Sequence, residues 1–318
     1  AMVMASLTGC GSSASGSGLP KNIELQVPAK AGGGTDVVAR AIATQVGKDS
    51  GSNLTVQNNT DGSGVVAMEK VRSAKPDASS LLFFHTTMLI KTATGVYDHS
   101  AVDDFTVIAV GQGTEKTGYV LVVPGDSPYN TTEDLVEAAK AAPGSILMGV
   151  ETGGSSHIMS GLFAKATGID VKYVEAGSDT EKLTALVGGS INAALVNQNQ
   201  AKQYVESGKA KALGCFSVDE TGGESAILPG VTSFVDQGYD CTFTTLFLVL
   251  GPKDMKAETV TALHDYFESA VVNPEVQNVL KPAGFDMTFF SQEEGLQKVK
   301  DQQESLNDVV DMLGLKQK

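Results

Sequence analysis

Basic residues are scarce in this chain of 318 residues, which contains 23 Lys and Arg against 37 Asp and Glu. The formal net charge is -14 at pH 7. Proteins that bind nucleic acids contact the phosphates with clusters of Lys and Arg, and the sequence contains no such cluster. The composition therefore argues against a nucleic-acid partner. Any anionic ligand must be held by local geometry rather than by an excess of positive charge.

Long apolar runs and metal-binding motifs are also absent. No stretch reaches the roughly 18 to 20 uncharged apolar residues that a membrane-spanning helix requires. The 4 His and 3 Cys residues are scattered and form neither HExxH nor CxxC. We therefore expect no metal and no cofactor. Cys215 and Cys241 lie in apolar, strand-like runs, so the sequence leaves open both a disulfide between them and two buried free thiols.

The third cysteine, Cys10, ends the tetrapeptide Leu-Thr-Gly-Cys and precedes a run of Gly and Ser that reaches residue 18. This pattern is typical of a bacterial lipobox, in which the cysteine is lipidated and becomes the first residue of the mature protein. The Gly/Ser run has the composition of a flexible tether. We expect residues 1–21 to comprise a truncated lipoprotein signal and this tether. The alternative is an ordinary thiol that carries no lipid.

After residue 20, short apolar runs alternate with helical stretches, which is typical of an α/β protein with mainly parallel strands. Ser178 and Glu181 have the spacing of a capping box at the start of one helix. The strand candidates are residues 23–27, 54–56, 81–84, 106–110, 119–123, 146–149, 171–174, 193–196, 212–216 and 243–250.

Two of the apolar runs, GYVLVVPG (118–125) and TTLFLVLGP (244–252), are unusually long, and each ends in a Gly/Pro pair. Strands that pass from one domain into another would have this composition. Two such crossings predict one domain of residues 22–121 plus 245–318 and a second of residues 122–244, the arrangement of hinge-bending binding proteins. The alternative is that both runs are ordinary core strands of a single domain.

Three glycine-rich turns each follow a strand and precede a helix. The first lies within VPAKAGGGTDVVARAI (27–42), where Thr35 or Asp36 is suited to be the N-cap. The others lie within NNTDGSGVV (58–66) and VETGGSSHIMSGLF (150–163). The first amides of a helix lack intrahelical partners and attract anions. Two such turns in opposite halves could converge on one cleft, whereas the alternative is a set of tight turns without a ligand.

Motifs for nucleotide binding and for catalysis are missing from these turns. None of them has the GxxxxGK[ST] pattern, the GxGxxG pattern directly after a strand, or the GxSxG pattern. His157 beside Ser155 and Ser156 raises the hypothesis of a hydrolase. A His on the first turn of a helix more often forms a local hydrogen bond or packs, and no third group points at it. We expect a binding protein and keep the hydrolase as its rival.

The first turn and several later segments resemble one family. PAKAGGGTDVVAR is similar to the Pro-x-x-x-Gly-Gly-x-x-Asp-x-x-Ala-Arg opening of the extracytoplasmic solute-binding proteins of tripartite tricarboxylate transporters, the Bug family. GVETGGSSHIMSGLF resembles that family's second glycine/serine loop, and the likeness continues from about residue 22 to the C-terminus. The later landmarks are LTALVGGSINAAL, SGKAKALGCFS and LPGVTSFVDQGYD. The matching residues of the opening are Pro28, Gly32, Gly33, Asp36, Ala39 and Arg40.

This resemblance implies a type II periplasmic-binding-protein fold, in which two doubly wound α/β domains are joined by two crossover strands and close on a ligand in the cleft. It also implies that the two loops hold a ligand carboxylate through backbone amides, hydroxyls and waters. The chain departs from the family at Asp61, where Gly is common, and in VEAGSD, which lacks the usual aromatic residue or Pro. Glu175, Ser178 and Asp179 in or beside that segment would make one wall of the cleft acidic.

The expected ligand-binding residues come from the two loops, from this wall and from the segments HTTMLI (85–90) and VNQNQ (196–200), which we expect to recognise the distal part of the ligand. They are Gly33, Gly34, Thr35, Asp36, Thr86, Thr152, Gly153, Gly154, Ser155, Ser156, His157, Ser178, Asp179 and Asn197. We expect Asp36 to act mainly as an N-cap that also fastens its loop, and not as a general base, because a free carboxylate would repel an anion.

The resemblance further implies a monomeric, non-enzymatic receptor that captures a small organic acid outside the cytoplasm. It would deliver this ligand to the membrane permease of a tripartite tricarboxylate transporter and would be anchored to the membrane by a lipid on Cys10. Two alternatives stay open at the level of the sequence. One is the hydrolase with Ser155 and His157, and the other is a lipoprotein sensor that presents the same ligand to a kinase.

Overall fold

A computed structural model describes residues 18–113 and 116–317. Within these residues the strands are β1 (Asn22–Val27), β2 (Asn53–Asn58), β3 (Ser80–His85), β4 (Phe105–Gln112), β5 (Thr117–Pro124), β6 (Leu147–Val150), β7 (Lys172–Glu175), β8 (Ala193–Asn197), β9 (Ala210–Ser217), β10 (Leu246–Pro252) and β11 (Thr288–Phe289). Each of the ten predicted strands is confirmed, and the two-residue strand β11 was not predicted.

Helices connect most of these strands. They are α1 (Gly34–Ser50), α2 (Val65–Arg72), α3 (Thr87–Thr94), α4 (Thr132–Ala141), α5 (Ser155–Thr167), α6 (Asp179–Val187), α7 (Gln198–Glu206), α8 (Ala257–Val272), α9 (Pro274–Leu280) and α10 (Gln292–Leu313). The predicted capping box is confirmed at the start of α6, where the Ser178 side chain accepts from the Glu181 amide and the Glu181 carboxylate accepts from the Ser178 amide. Such a box satisfies two amides that have no partner within the helix.

The strands form two mixed sheets, of order β11-β4-β10-β3-β1-β2 and β7-β6-β8-β5-β9. β1 pairs in parallel with β2 and β3, and β6 pairs in parallel with β7 and β8. The pairs that involve β10 or β5, and the pair of β11 with β4, are antiparallel. In direction, however, β1 to β4 run parallel to one another in the six-stranded sheet, and so do β6 to β9 in the five-stranded sheet. Eight of the eleven described strands therefore confirm the prediction of mainly parallel strands. The chain enters β5 and β10 directly from the other sheet, without a crossover helix before them. These two strands therefore run antiparallel to their neighbours.

Helices cover both faces of each sheet, and the alternation of side chains along the strands divides the core accordingly. In β3, Leu81 and Phe83 belong to the cluster on the face of α1 and α8, whereas Leu82 and Phe84 belong to the cluster on the face of α3 and α10. Successive residues of a strand point to opposite faces, so a strand covered on both sides is apolar throughout. Two further clusters enclose the five-stranded sheet in the same way.

The chain passes between the sheets twice. It leaves the six-stranded sheet after Gln112, enters the other at Thr117, and returns through residues 218–245 to begin β10 at Leu246. Isolated bridges join Ser217 to Thr242 and Cys215 to Ser233 on the way back. Each of the two long apolar runs thus forms a strand that lies within a single sheet. β5 belongs to the five-stranded sheet and β10 to the six-stranded sheet.

α10 packs mainly on α3 and β4 of the six-stranded sheet, and it also contacts α5 of the other sheet. Gly161 of α5 permits this contact, because a Cβ there would lie 2.7 Å from Leu313 Cδ1 and 3.0 Å from Val309 Cγ1. Cys215 and Cys241 are buried free thiols, which decides between the two alternatives that the sequence left open. Among the described helices, none combines the length and the apolar composition that crossing a membrane requires.

Candidate functional site

A cavity of about 430 Å³ lies between the two sheets, and we call it the central cavity. Its lining residues are Gly34, Thr35, His85, Thr86, Gly113, Gly118, Tyr119, Ser155, Asn197, Asn199, Gln200, Phe243, Thr245, Phe247, Ala283, Gly284 and Phe285. None of these residues is Lys, Arg, Asp or Glu. The described part of the cavity wall is therefore uncharged in a chain whose net charge is -14.

Four helix N-termini meet at this cavity. β1 and β3 are neighbours in one sheet, β6 and β8 are neighbours in the other, and each of the four strands is followed by a helix at its carboxyl end. The residues at these N-termini that line the cavity are Gly34 and Thr35 of α1, Thr86 before α3, Ser155 of α5, and Asn197, Asn199 and Gln200 at α7. Each helix N-terminus carries a partial positive charge of about half a unit, so the four together favour an anion.

Fewer amides of the first glycine turn are available to a ligand than the sequence suggested. The Gly32 amide donates to Asp36 Oδ2 (2.8 Å), and the Gly33 amide donates to the Lys30 carbonyl (3.1 Å). Among the hydrogen bonds of the described residues, none uses the amides of Gly34 or Thr35 as donors. Gly34 and Thr35 both line the cavity, so their amides are open toward it.

Gly33 is the N-cap of α1 and has extended backbone angles, so the prediction of Thr35 or Asp36 as N-cap is wrong. The helix begins earlier because the Asp36 side chain turns back to the Gly32 amide. The Asp36 carboxylate also accepts from Asn58 Nδ2 (2.8 Å) and Arg40 Nε (3.0 Å). Burial by itself would raise the pKa of Asp36, but these hydrogen bonds outweigh it and hold the pKa below its usual value. Asp36 is 3% exposed and fastens the turn from behind the cavity wall.

The second glycine turn is also largely satisfied by its own surroundings. The Thr152 amide donates to Glu175 Oε2 (2.7 Å), the Gly153 amide to His157 Nδ1 (3.3 Å) and the Gly154 amide to the Glu151 carbonyl (2.8 Å). Of the six residues predicted here, Ser155 lines the cavity. Its amide, like those of Gly34 and Thr35, donates to no acceptor among the described residues.

His157 and Ser156 have structural partners. The His157 ring packs against Tyr173, with ring centroids 4.6 Å apart, and burial lowers the pKa of the imidazole. Ser156 Oγ accepts from the Glu151 amide (2.9 Å). The described hydrogen bonds include none between His157 and either serine, so the arrangement lacks the base-to-nucleophile contact that a serine hydrolase uses.

The acidic residues expected on one wall bind backbone amides instead of facing the cavity. Asp179 accepts from the Asn197 amide (2.9 Å) and forms an ion pair with Lys182 Nζ (2.7 Å), whose side chain is 2% exposed. Glu175 holds the Thr152 amide, as described above, and also accepts from the Gly177 amide (2.9 Å). These contacts leave the described cavity wall without an acidic side chain, and Ser178 serves as the cap of α6.

Thr86 and His85 lie where β3 gives way to α3. Thr86 Oγ1 accepts from the Leu246 amide (2.9 Å) and donates to Gln302 Oε1 (3.0 Å). The Thr87 amide donates to His85 Nδ1 (3.3 Å). Burial and, to a smaller extent, nearby Lys91 lower the pKa of His85 to about 4. The imidazole is therefore neutral at pH 7 and carries its proton on Nε2, where it can donate to a ligand.

Sequence reasoning missed the aromatic part of the cavity. Tyr119, Phe243 and Phe247 come from the two long apolar runs or their edges, and a crossover segment lies beside the cleft in a hinge-bending protein, so the signal was present. Burial, together with Asp179, raises the pKa of Tyr119 to about 12, and its hydroxyl is hydrogen-bonded to Thr245. Residues 283–285 gave no signal, because they lie in an ordinary turn before β11.

Two further features lie away from the cavity. His264, Asp265 and Glu268 of α8 approach one another within 4.8 Å, but both acids are exposed and His264 Nε2 bonds the Phe290 carbonyl (3.0 Å). We see no reason to assign a metal to them. Cys10, the predicted lipidation site, lies outside the described residues.

Comparison with known proteins identifies the family. A model of the tripartite tricarboxylate transporter family receptor (TctC) matches residues 38–315. The chain is 28% identical to the UPF0065 protein in the gbd 5′ region of Cupriavidus necator, over 83% of this chain and 78% of that protein. It is 22% identical to the protein BugT of Bordetella pertussis, over 82% of this chain and 80% of BugT.

Solved structures share the fold. A TctC solute-binding protein from Polaromonas superposes with a TM-score of 0.78 at 24% identity, over 92% of this chain and 98% of that one. MatC from Rhodopseudomonas palustris with bound malate gives 0.67 at 20% identity, over 91% and 98% of the two chains. Another R. palustris protein, with adipate, gives 0.69 at 21% identity, over 92% and 97%. The predicted type II binding-protein fold is confirmed, and the chain belongs to the tripartite tricarboxylate transporter receptor (TctC) family, whose members are solute-binding receptors and not enzymes.

Proposed function

We propose that this receptor binds a small organic acid in the central cavity, outside the cytoplasm, and delivers it to the permease of a tripartite tricarboxylate transporter. The observation that carries the ligand class is the meeting of four helix N-termini at a cavity whose described wall has no charged side chain. Such a site attracts an anion through amides and helix dipoles and needs no Lys or Arg.

The energetics of such a site are sufficient. The amides of Gly34, Thr35 and Ser155 are the candidates to donate to a ligand carboxylate, together with the hydroxyls of Thr35 and Ser155. Hydrogen bonds to a charged group contribute roughly 1.5 to 3 kcal/mol each. Three of them would supply much of the about 8 kcal/mol of a micromolar complex. The malate and adipate bound to the two R. palustris proteins support a carboxylate as the ligand class.

We further propose that the six-stranded and five-stranded sheets are the centres of two domains that close on the ligand. Because β4 ends at Gln112 and β5 lies in the five-stranded sheet from Thr117 onward, we put the first crossing between these two residues. This is earlier than the limit between residues 121 and 122 that the apolar run suggested. We put the second crossing at residues 242–245, around the limit between residues 244 and 245 that the apolar run suggested.

Calorimetry with a panel of small organic acids tests the ligand class. Ser155→Val should weaken the binding of the best acid at least tenfold, because it removes a hydroxyl and adds bulk beside the carboxylate. Thr152→Val is the matched control, since Thr152 lies in the same turn but its amide is held by Glu175. The affinity of this control variant for the acid should lie within threefold of the wild-type affinity. The neutral amide of the same acid should bind at least tenfold more weakly than the acid.

Equal affinities for the acid and its amide, or equal losses in the two variants, would contradict the proposal. The same samples, followed by chromatography, should show that the acid is not consumed. For the location, we expect full-length protein made in a bacterium to partition with membranes and Cys10→Ser to release it. Unchanged partitioning of this variant would remove the argument for a lipid anchor.

A further inference from the structure

The segment of residues 281–286, between α9 and β11, forms one end of the central cavity, and we call it the strap. Ala283, Gly284 and Phe285 line the cavity. The strap is tied at both ends, because the Phe285 amide donates to the Leu280 carbonyl (3.0 Å) and the Asp286 amide donates to the Gly113 carbonyl (3.3 Å). It is therefore fixed both to the end of α9 and to the first crossing between the sheets.

Phe285 is held against the wall that carries α1. Its ring lies edge-on to Phe247, with centroids 5.9 Å apart. A Cβ on Gly34 would lie only 2.8 Å from Phe285 Cζ, closer than a real Cβ can come to such an atom. The ring thus covers the backbone beside the Gly34 amide, and Gly34 has to be glycine for the ring to occupy this position.

Gly284 reaches the opposite wall. Its φ is +86°, a left-handed conformation that favours glycine. A Cβ on this residue would lie 3.1 Å from Asn199 Nδ2, at the N-terminus of α7. The strap therefore spans the space between two walls of the cavity. Phe285 lies against the wall that carries α1, and Gly284 lies against the N-terminus of α7.

A second cavity of about 290 Å³ lies on the other side of the strap. It shares Asn199, Gly284 and Phe285 with the central cavity. Its other described lining residues are Lys116, Thr117, Gln198, Glu224, Ala226, Ile227, Lys281 and Asp286. The strap thus separates a chamber whose described lining is uncharged from one that contains two lysines, Lys116 and Lys281, and two carboxylates, Glu224 and Asp286.

We propose that Phe285 determines the length of the bound acid, because its ring ends the central cavity and separates it from the second one. This inference rests on the proposed function and deepens it, since it assigns short acids to the wild-type site. Longer straight-chain diacids would have to extend past the ring, where their second carboxylate could meet Lys116 or Lys281. Truncation of the ring would join the two cavities and open that route.

The test measures the affinities of straight-chain dicarboxylates of increasing length by calorimetry. In wild type, affinity should fall at least tenfold beyond a short optimum. In Phe285→Ala the optimum should move to acids longer by two or more carbons, and the longest acids should bind at least tenfold better than they bind to wild type. Phe290→Ala is the matched control, because Phe290 is also a partly buried ring of the same region but lines neither cavity. It should keep the wild-type profile.

A uniform loss of affinity at all lengths in Phe285→Ala, or the same shift in Phe290→Ala, would overturn the role of Phe285 and leave the proposed function standing. If no acid of any length bound to wild type, both proposals would fall. Gly34→Ala gives an independent readout of the contact. It should destabilise the wild-type protein but not Phe285→Ala, as urea unfolding would show, and equal effects in the two backgrounds would contradict the packing argument.

Discussion

Asp36→Ala should destabilise the protein, because it removes the acceptor that ties the first glycine turn to the rest of the six-stranded sheet. The carboxylate is 3% exposed and accepts from the Gly32 amide, from Asn58 Nδ2 and from Arg40 Nε. The guanidinium is half exposed and can return to water. The Gly32 and Asn58 donors, however, lose a charged partner that holds the turn in place.

Hydrogen bonds to a charged group contribute roughly 1.5 to 3 kcal/mol each, so two lost bonds correspond to about 3 to 6 kcal/mol. Asp36→Asn keeps one acceptor oxygen but turns an amide toward the donors, and we expect a loss of about 1 to 2 kcal/mol. The pKa of Asp36 is lowered on folding, so its stabilisation is present above the unfolded value of 3.8 and is lost as the pH falls through the folded value. The difference between wild type and Asp36→Ala should therefore shrink below that pH.

Urea unfolding at pH 7 and again near pH 3 measures both effects. Asp77→Ala is the matched control, because the Asp77 carboxylate also accepts hydrogen bonds and also has a lowered pKa, but all of its partners are local to an exposed turn. We expect a loss below about 1 kcal/mol for the control. A loss below roughly 0.5 kcal/mol in Asp36→Ala at pH 7, or a difference that does not change with pH, would refute the reasoning.

Three further predictions concern buried groups. The pKa of His85 falls from 6.5 to about 4 on folding. Between these two pH values the unfolded chain binds a proton on His85 and the folded protein does not. The free energy of unfolding should therefore drop by about 3 kcal/mol as the pH falls from 6.5 to about 4. Urea titrations should show a flatter profile for His85→Asn, and an unchanged slope would contradict this. Burial raises the pKa of Cys215 to about 12 and also raises that of Cys241, so neither thiol should react with a thiol reagent before the protein unfolds. Rapid labelling of either thiol in the native protein would show that this is wrong. Lys182→Met should lower the stability by about 3 kcal/mol, because it leaves the Asp179 carboxylate without its buried cation. Thermal unfolding should show that the double variant Lys182→Met/Asp179→Asn recovers part of this loss.

Local patterns predicted the strands and the glycine turns well. A run of apolar residues followed by glycines carries its own information, which is why the turns before α1 and α5 were found. The direction of β5 and β10 could not be predicted, because it depends on the order in which the chain visits the two sheets. β11 has two residues, too few for any periodicity.

The site was predicted at the level of loops but not of atoms. Which amides stay open depends on acceptors elsewhere in the chain: Glu175 takes the Thr152 amide from 23 residues away, and this pairing leaves Ser155 to face the cavity. The contact of Phe285 with Gly34 joins opposite ends of the sequence and leaves no local trace. Composition indicated that an anion would have to be held without an excess of basic residues, and the described lining of the central cavity contains no Lys or Arg.

The contact between Gly161 and α10 has a mechanical consequence. Ser155 and Gly161 lie six residues apart on α5, which corresponds to about 9 Å along a helix with a rise of 1.5 Å per residue. A helical segment of this length is stiff, so we expect a change in the contact of Leu313 with Gly161 to displace the Ser155 amide as well. Substitutions at this contact should then alter ligand affinity, although neither residue lines the central cavity.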